Sequence, residues 1–123
     1  MNHILVVDDE AGIREALVEI LSRKKYSATS AKNGQEALDL LNSATILPGL
    51  IILDMAMPIM DGKVFLGCLE KDDRIKDIPI FVVSGSVDPI TNLPGNCSTF
   101  RKPLPVRELL QAVQDVFKNT ELL

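Results

Sequence analysis

Four short runs of residues, each broken off at a polar or charged group, constrain what this chain can fold into. Ile4-Leu5-Val6-Val7 runs into Asp8-Asp9, Leu50-Ile51-Ile52-Leu53 into Asp54, and Ile80-Phe81-Val82-Val83 into Ser84-Gly85. A fourth, less apolar run, Thr99-Phe100-Arg101, ends in Lys102-Pro103. Unbroken apolar runs of this length, without alternation, are the signature of strands buried on both faces.

Between the runs the apolar period changes from continuous to helical. Ile13, Leu17, Ile20 and Leu21 predict an amphipathic helix over 10–24, and Tyr26 to Ala31 reads as a second, less apolar strand at a sheet edge. Asn33 with Glu36 has the spacing of a capping box, before a helix whose inner face is Ala37, Leu38 and Leu41. Pro48-Gly49 marks the turn into the strand that ends at Asp54. Gly62 to Glu70 is expected to be a helix with Val64, Phe65 and Leu69 facing inward, followed by a charged loop over Lys71 to Asp77. Val106, Leu109, Leu110, Val113 and Phe117 define the last helix, with Pro105 suited to its first turn. Ser84 to Lys102 differs from the rest. It contains Gly85, Gly95, Pro89 and Pro94, and predicts only a short helical turn near 88–93 or an irregular loop.

Strands alternating with helices imply an α/β domain with a doubly wound parallel sheet covered on both faces. In such a sheet ligands sit beyond the carboxyl ends of the strands, and the polar ends of all four runs fall there. Two adjacent carboxylates raise each other's pKa unless a cation lies between them. With Asp54 on the next strand, Asp8 and Asp9 form a candidate site for Mg²⁺, which takes a few carboxylates together with water and phosphate oxygens. Capping of the helix that follows is the plainer reading of Asp8-Asp9. Asp54, the lone acid at the end of the most apolar strand, is the candidate nucleophile toward phosphorus. Lys102 can neutralise developing charge and Ser84 can donate a hydrogen bond to a phosphoryl oxygen, with Gly85 leaving access.

The 123 residues suffice for one domain, and a net charge of −4 argues against nucleic acid as a direct partner. The one dense basic cluster, Arg23-Lys24-Lys25, sits where a helix dipole favours cations. Cys68 and Cys97 lack metal-ligand spacing and read as reduced thiols of a cytoplasmic protein. No run approaches the ~20 apolar residues of a membrane span. Met1 leads directly into a strand, without the basic region of a signal peptide. His3 lies at the wrong end of its strand for the site.

These residues resemble the receiver domain of two-component response regulators over nearly the whole chain, from Ile4 to about Phe117. The resemblance rests on Val7-Asp8-Asp9-Glu10, on Asp54-Met55-Ala56-Met57-Pro58-Ile59-Met60-Asp61-Gly62, on Val83-Ser84-Gly85 and on Lys102-Pro103-Leu104. It implies a five-stranded sheet of order 2-1-3-4-5, an order for which such a receiver is a known example. It also implies that Asp54 accepts a phosphoryl group from a sensor histidine kinase or histidine phosphotransfer protein. Asp9 and Asp54 would bind Mg²⁺ through their side chains, Ala56 through its carbonyl, and Asp8 mainly through a water. Ser84 would be the switch hydroxyl and Lys102 the phosphate-binding lysine.

Two departures stand out. The position three before the lysine, aromatic in most receivers, is Thr99, and alternation places Phe100 on the opposite face. The segment from Ser84 to Lys102 is also about four residues shorter than usual for the family, which implies a shortened or irregular fourth helix. Output is therefore expected to leave through the loop after Asp54 and residues 85–98. The expected organisation is a single receiver domain over 1–123 that is not an enzyme, signalling to an unknown downstream protein. A piece of a larger regulator is the other arrangement. The rival functions are an aspartate-nucleophile phosphatase and a phosphorylation-independent receiver-like interaction module.

Overall fold

The computed structural model describes residues 3–55, 62–85, 93 and 95–121, the side chains of 119–121 excepted. The elements follow in the order β1 (His3–Val7), α1 (Ala11–Arg23), β2 (Ser27–Ala31), α2 (Gly34–Ser43), β3 (Leu50–Asp54), α3 (Gly62–Glu70), β4 (Ile80–Ser84), β5 (Cys97–Arg101) and α4 (Val106–Glu121). The five strands form one parallel sheet of order β2-β1-β3-β4-β5. The turn of helix expected near 88–93 falls almost wholly outside the described residues.

The apolar runs fill two cores, one on each face, by strict alternation. Leu5, Val7, Ile51, Leu53, Ile80 and Val82 face α2 and α3, where Ala37, Leu41, Phe65 and Leu66 meet them. Ile4, Val6, Leu50, Ile52, Phe81 and Val83 face α1 and α4, against Leu17, Leu21, Leu109 and Phe117. Every residue of β3 is buried, whereas the edge strand β2 alternates between exposed and covered positions.

The capping signal of α2 is realised: the Glu36 amide donates to Asn33 Oδ1 at 2.8 Å. The reciprocal arm differs from a full capping box, because Glu36 Oε1 accepts from the Lys32 amide at 3.2 Å. α3 corrects one expectation. Val64 is 54% exposed, and Leu66 is buried in its place. Its inward stripe is Gly62, Phe65, Leu66 and Leu69, spaced i, i+3, i+4, i+7 as a helix requires. In α4, Val106 at the first position is likewise exposed, and Leu109, Val113 and Phe117 carry the packing. The charged stretch 71–79 buries Ile75 in the α2/α3 core. Arg74 Nη2 donates to the Leu41 carbonyl at 3.3 Å, and Asn96 Nδ2 donates to the carbonyls of Lys76 at 3.0 Å and Ile78 at 2.6 Å.

Phe65 is 0% exposed at the centre of the α2/α3 core. Phe65→Ala is expected to lose about 3–5 kcal/mol of unfolding free energy. Urea denaturation followed by circular dichroism measures it, with the midpoint falling while the slope is retained.

Candidate functional site

The site begins with strand register. Val7 lies opposite Leu53, and Asp54 opposite Val83, so β1, β3 and β4 end within two residues of one another. Asp8 continues the series Ile4, Val6, and Asp54 the series Leu50, Ile52, so both acids point to the α1/α4 side of the sheet edge. One carboxylate oxygen from each of Asp8, Asp9 and Asp54 falls within a 4.8 Å group. Asp8 and Asp54 are buried and Asp9 is exposed. The fourth expected member arrives from β5. Lys102 Nζ stands 3.3 Å from Asp54 Oδ1, and the Lys102 amide donates to the Ser84 carbonyl at 2.9 Å. Ser84 is half-buried and pairs with Arg101 at the end of β4. Ala56 lies outside the described residues.

Local hydrogen bonds hold Asp8 in place. The Glu10 amide donates to Asp8 Oδ1 at 2.9 Å, while the N-cap of α1, Glu10, makes no side-chain cap of its own. The plainer capping reading of Asp8 is therefore realised in part: its carboxylate ties the chain just before the helix and also joins the acidic group. Arg14, which the sequence did not single out, donates from Nη1 to the Asp8 carbonyl at 2.9 Å and ties α1 to the end of β1. Its i+6 spacing from Asp8 matches no local motif.

The two described ends of the loop after Asp54 are also tied. The Met55 amide donates to the Val83 carbonyl at 3.2 Å, and the Gly62 amide to the Met55 carbonyl at 3.1 Å. A Cβ at Gly62 would stand 2.8 Å from Met55 Cα and overlap the Met55 sulfur, so only glycine fits this closure.

Burial raises the pKa of the Asp8 carboxyl above its ordinary 3.8, against the lowering pull of the Glu10 amide and Lys102. Beneath the acids lies an apolar cavity of about 380 Å³, walled by Val6, Ile13, Ala16, Ile52 and Leu104 and reached by Asp8, Asp54 and Lys102. Its walls keep water from one side of the charges, which strengthens electrostatic interaction among them. The oxygen donors fit a hard divalent ion. Mg²⁺ binds oxygens at 2.0–2.1 Å, so opposite ligands stand roughly 4.2 Å apart, and a 4.8 Å group needs only a small contraction.

The family model described as response regulator receiver domain matches residues 4–114. This chain belongs to that family. Receivers are phosphoacceptors of two-component signalling, bind Mg²⁺ at an acidic pocket and interact with histidine kinases or phosphotransfer proteins. Sporulation initiation phosphotransferase F of Bacillus subtilis is 34% identical over 113 residues, covering 90% of this chain and 90% of its own. Response regulator MprA of Mycolicibacterium vanbaalenii is 35% identical over 121 residues, covering 95% of this chain and 51% of its own. The receiver spans about half the length of several curated relatives that it matches. Among solved structures, response regulator protein TrrA of Thermotoga maritima, in complex with Mg(2+)-BeF, superposes with a TM-score of 0.79. It is 33% identical and covers 94% of this chain and 99% of its own. Among the described residues, no helix is long and apolar enough to cross a membrane.

The raised pKa of Asp8 has a definite sign. A carboxyl whose folded value exceeds its unfolded value contributes favourably at low pH, and that contribution is lost as pH rises through the folded value. Asp8→Asn is therefore expected to raise the metal-free melting temperature at pH 7, with the gain shrinking toward pH 4. The same substitution is expected to reduce the stabilisation that saturating Mg²⁺ gives the wild type, which amounts to about 2.7 kcal/mol at one hundred times Kd. Calorimetric melts at several pH values, with and without Mg²⁺, measure both effects.

Proposed function

We propose that Asp54 is the phosphoacceptor of this receiver, served by Lys102 and Ser84, with Asp8, Asp9, Asp54 and the Ala56 carbonyl as the Mg²⁺ ligands. The observation that carries the reading is the 3.3 Å ion pair between Lys102 Nζ and Asp54 Oδ1, beside the Asp8 and Asp9 carboxylates. It supplies a carboxylate nucleophile, a cation beside it and two further acids for a metal, all at one strand edge.

An Asp54 carboxylate oxygen attacks the phosphorus of a phosphohistidine. The new O–P bond forms as the N–P bond breaks, and the imidazole leaves with the electron pair and takes up a proton. The charge that spreads over the equatorial phosphoryl oxygens has to be neutralised, since the protein contributes chiefly positioning and electrostatics. Bound Mg²⁺ supplies part of that neutralisation. Lys102, held next to Ser84 by its own amide, supplies a fixed positive charge on the other side. The Ser84 hydroxyl donates to a phosphoryl oxygen once one is present.

The donor in this reading is a sensor histidine kinase or a histidine phosphotransfer protein in the cytoplasm. The receiver is a stoichiometric acceptor, not an enzyme that turns over substrate. Residues 1–123 act as one receiver domain upon an unidentified downstream protein. Thr99, exposed and opposite Val82, leaves the usual aromatic position without a ring. Phe100 points to the other side and packs against Phe81 with ring centroids 5.1 Å apart.

The test is intact-protein mass after incubation with acetyl phosphate and Mg²⁺, sampled from seconds onward. One phosphoryl group is expected on wild type, none on Asp54→Asn, and none without metal. Lys102→Ala is expected to slow labelling on the order of 100-fold, in line with loss of one preorganised electrostatic contact. Labelling of Asp54→Asn at the wild-type rate would overturn the assignment.

A further inference from the structure

Away from the acidic edge, the end of α1 and the flank of α4 enclose a second concavity, a groove of about 430 Å³. It is lined by Lys24, Tyr26, Arg107, Leu110, Gln111 and Gln114. Two cations, two amides, a phenol and a leucine make up the lining, with no carboxylate among them. Arg23, next to Lys24, is occupied by Glu19 at 2.6 Å. Among the described residues, neither Lys24 nor Arg107 makes an ion pair. Asp115, one turn along α4, accepts from Gln111 Nε2 at 3.1 Å.

Helix electrostatics account for only one of the two cations. A lysine at the end of α1 sits at the negative pole of that helix. Arg107 is the second residue of α4, at a positive pole, where a cation is disfavoured. Arg107, Leu110, Gln111 and Gln114 form an i, i+3, i+4, i+7 stripe beside the inward series Leu109, Val113, Phe117. The stripe extends the groove by about 10 Å along the helix, the reach of about three residues of extended chain.

We propose that this groove binds an acidic peptide segment of a partner protein. Carboxylates of the segment pair with Lys24 and Arg107, and an apolar side chain between them rests on Leu110 and Tyr26, while the glutamines bond to its backbone. Charge complementarity selects this occupant. An anionic membrane is bound by convex clusters of four to eight basic residues, whereas this groove is concave and offers two, Lys24 and Arg107. A single inorganic anion would leave most of a 430 Å³ groove empty.

The experiment is a nitrogen-15 NMR titration of the full chain with a five-residue peptide of alternating glutamate and leucine, with fluorescence anisotropy of the labelled peptide for affinity. Shifts are expected at the amides of Lys24, Tyr26, Arg107 and Leu110, with binding that weakens as salt rises. The double variant Lys24→Glu/Arg107→Glu is expected to weaken binding at least tenfold, and Arg107→Gln, the milder change, at least threefold. Labelling of Asp54 by acetyl phosphate is expected to stay within twofold of wild type in both. Unchanged affinity in Arg107→Gln, shifts confined to another surface, or no binding at millimolar peptide would each overturn the proposal. Equal shifts with inorganic phosphate alone, or co-sedimentation with phosphatidylserine vesicles in place of peptide binding, would overturn it in favour of a simple anion or a membrane surface. Peptide-free self-association lost in Arg107→Gln would overturn it in favour of a second copy of the chain.

Discussion

Because β1 and β3 pair in parallel, with Val7 opposite Leu53 in a sheet covered on both faces, the acids that follow them are delivered to one edge. Neither strand can slip. A one-residue shift would turn Ile4 and Val6, or Leu50 and Ile52, from one core to the other and carry Asp8 or Asp54 away from the α1/α4 side. Hydrophobic burial thus holds charged groups in a crowded arrangement that they would not adopt by themselves. The cost is local and visible, since burial pushes the Asp8 carboxyl up. The offset comes from the Glu10 amide and from Lys102.

The rest of the site answers to that arrangement. β4 and β5 are in register so that the Lys102 amide meets the Ser84 carbonyl, which presents the ammonium to Asp54 from the far side of β4. Lys102 shares the side of Phe100, and Phe100 is seated against Phe81 in the α1/α4 core. The aromatic at this position therefore serves to anchor the lysine's strand. An aromatic at position 99 would instead face the opposite side of the sheet, where Val82 lies. Thr99 in that place leaves the pairing of Lys102 with Asp54 undisturbed.

Much of this was legible in the sequence. β1, β3 and β4 are continuous apolar runs, and only burial on both faces explains such runs in a chain of this length. Alternation correctly separated Thr99 from Phe100. Where the reading went astray, helical geometry had the last word. Val64 is apolar and adjacent to Phe65, but consecutive helical residues diverge by 100°, so only one can face the sheet, and Leu66 completes the stripe with Phe65 and Leu69. Ile75 was hidden within a charged stretch, where one apolar residue gives no period. Asn96 and Arg14 were silent because their partners, the carbonyls of Lys76, Ile78 and Asp8, are backbone groups that no side-chain pattern announces.

By itself the sequence determined the class of fold, the order of its elements and the identity of the charged groups that close the strands, because apolar periodicity and turn residues are local properties. Tertiary structure alone decided that three carboxylates come within 4.8 Å, that Lys102 reaches Asp54 at 3.3 Å, and that Lys24 and Arg107, 83 positions apart, share one groove. These are distances between residues remote along the chain. They follow from strand register and from the way helices seat on a sheet, which depend on the whole packed core and not on any one segment of it.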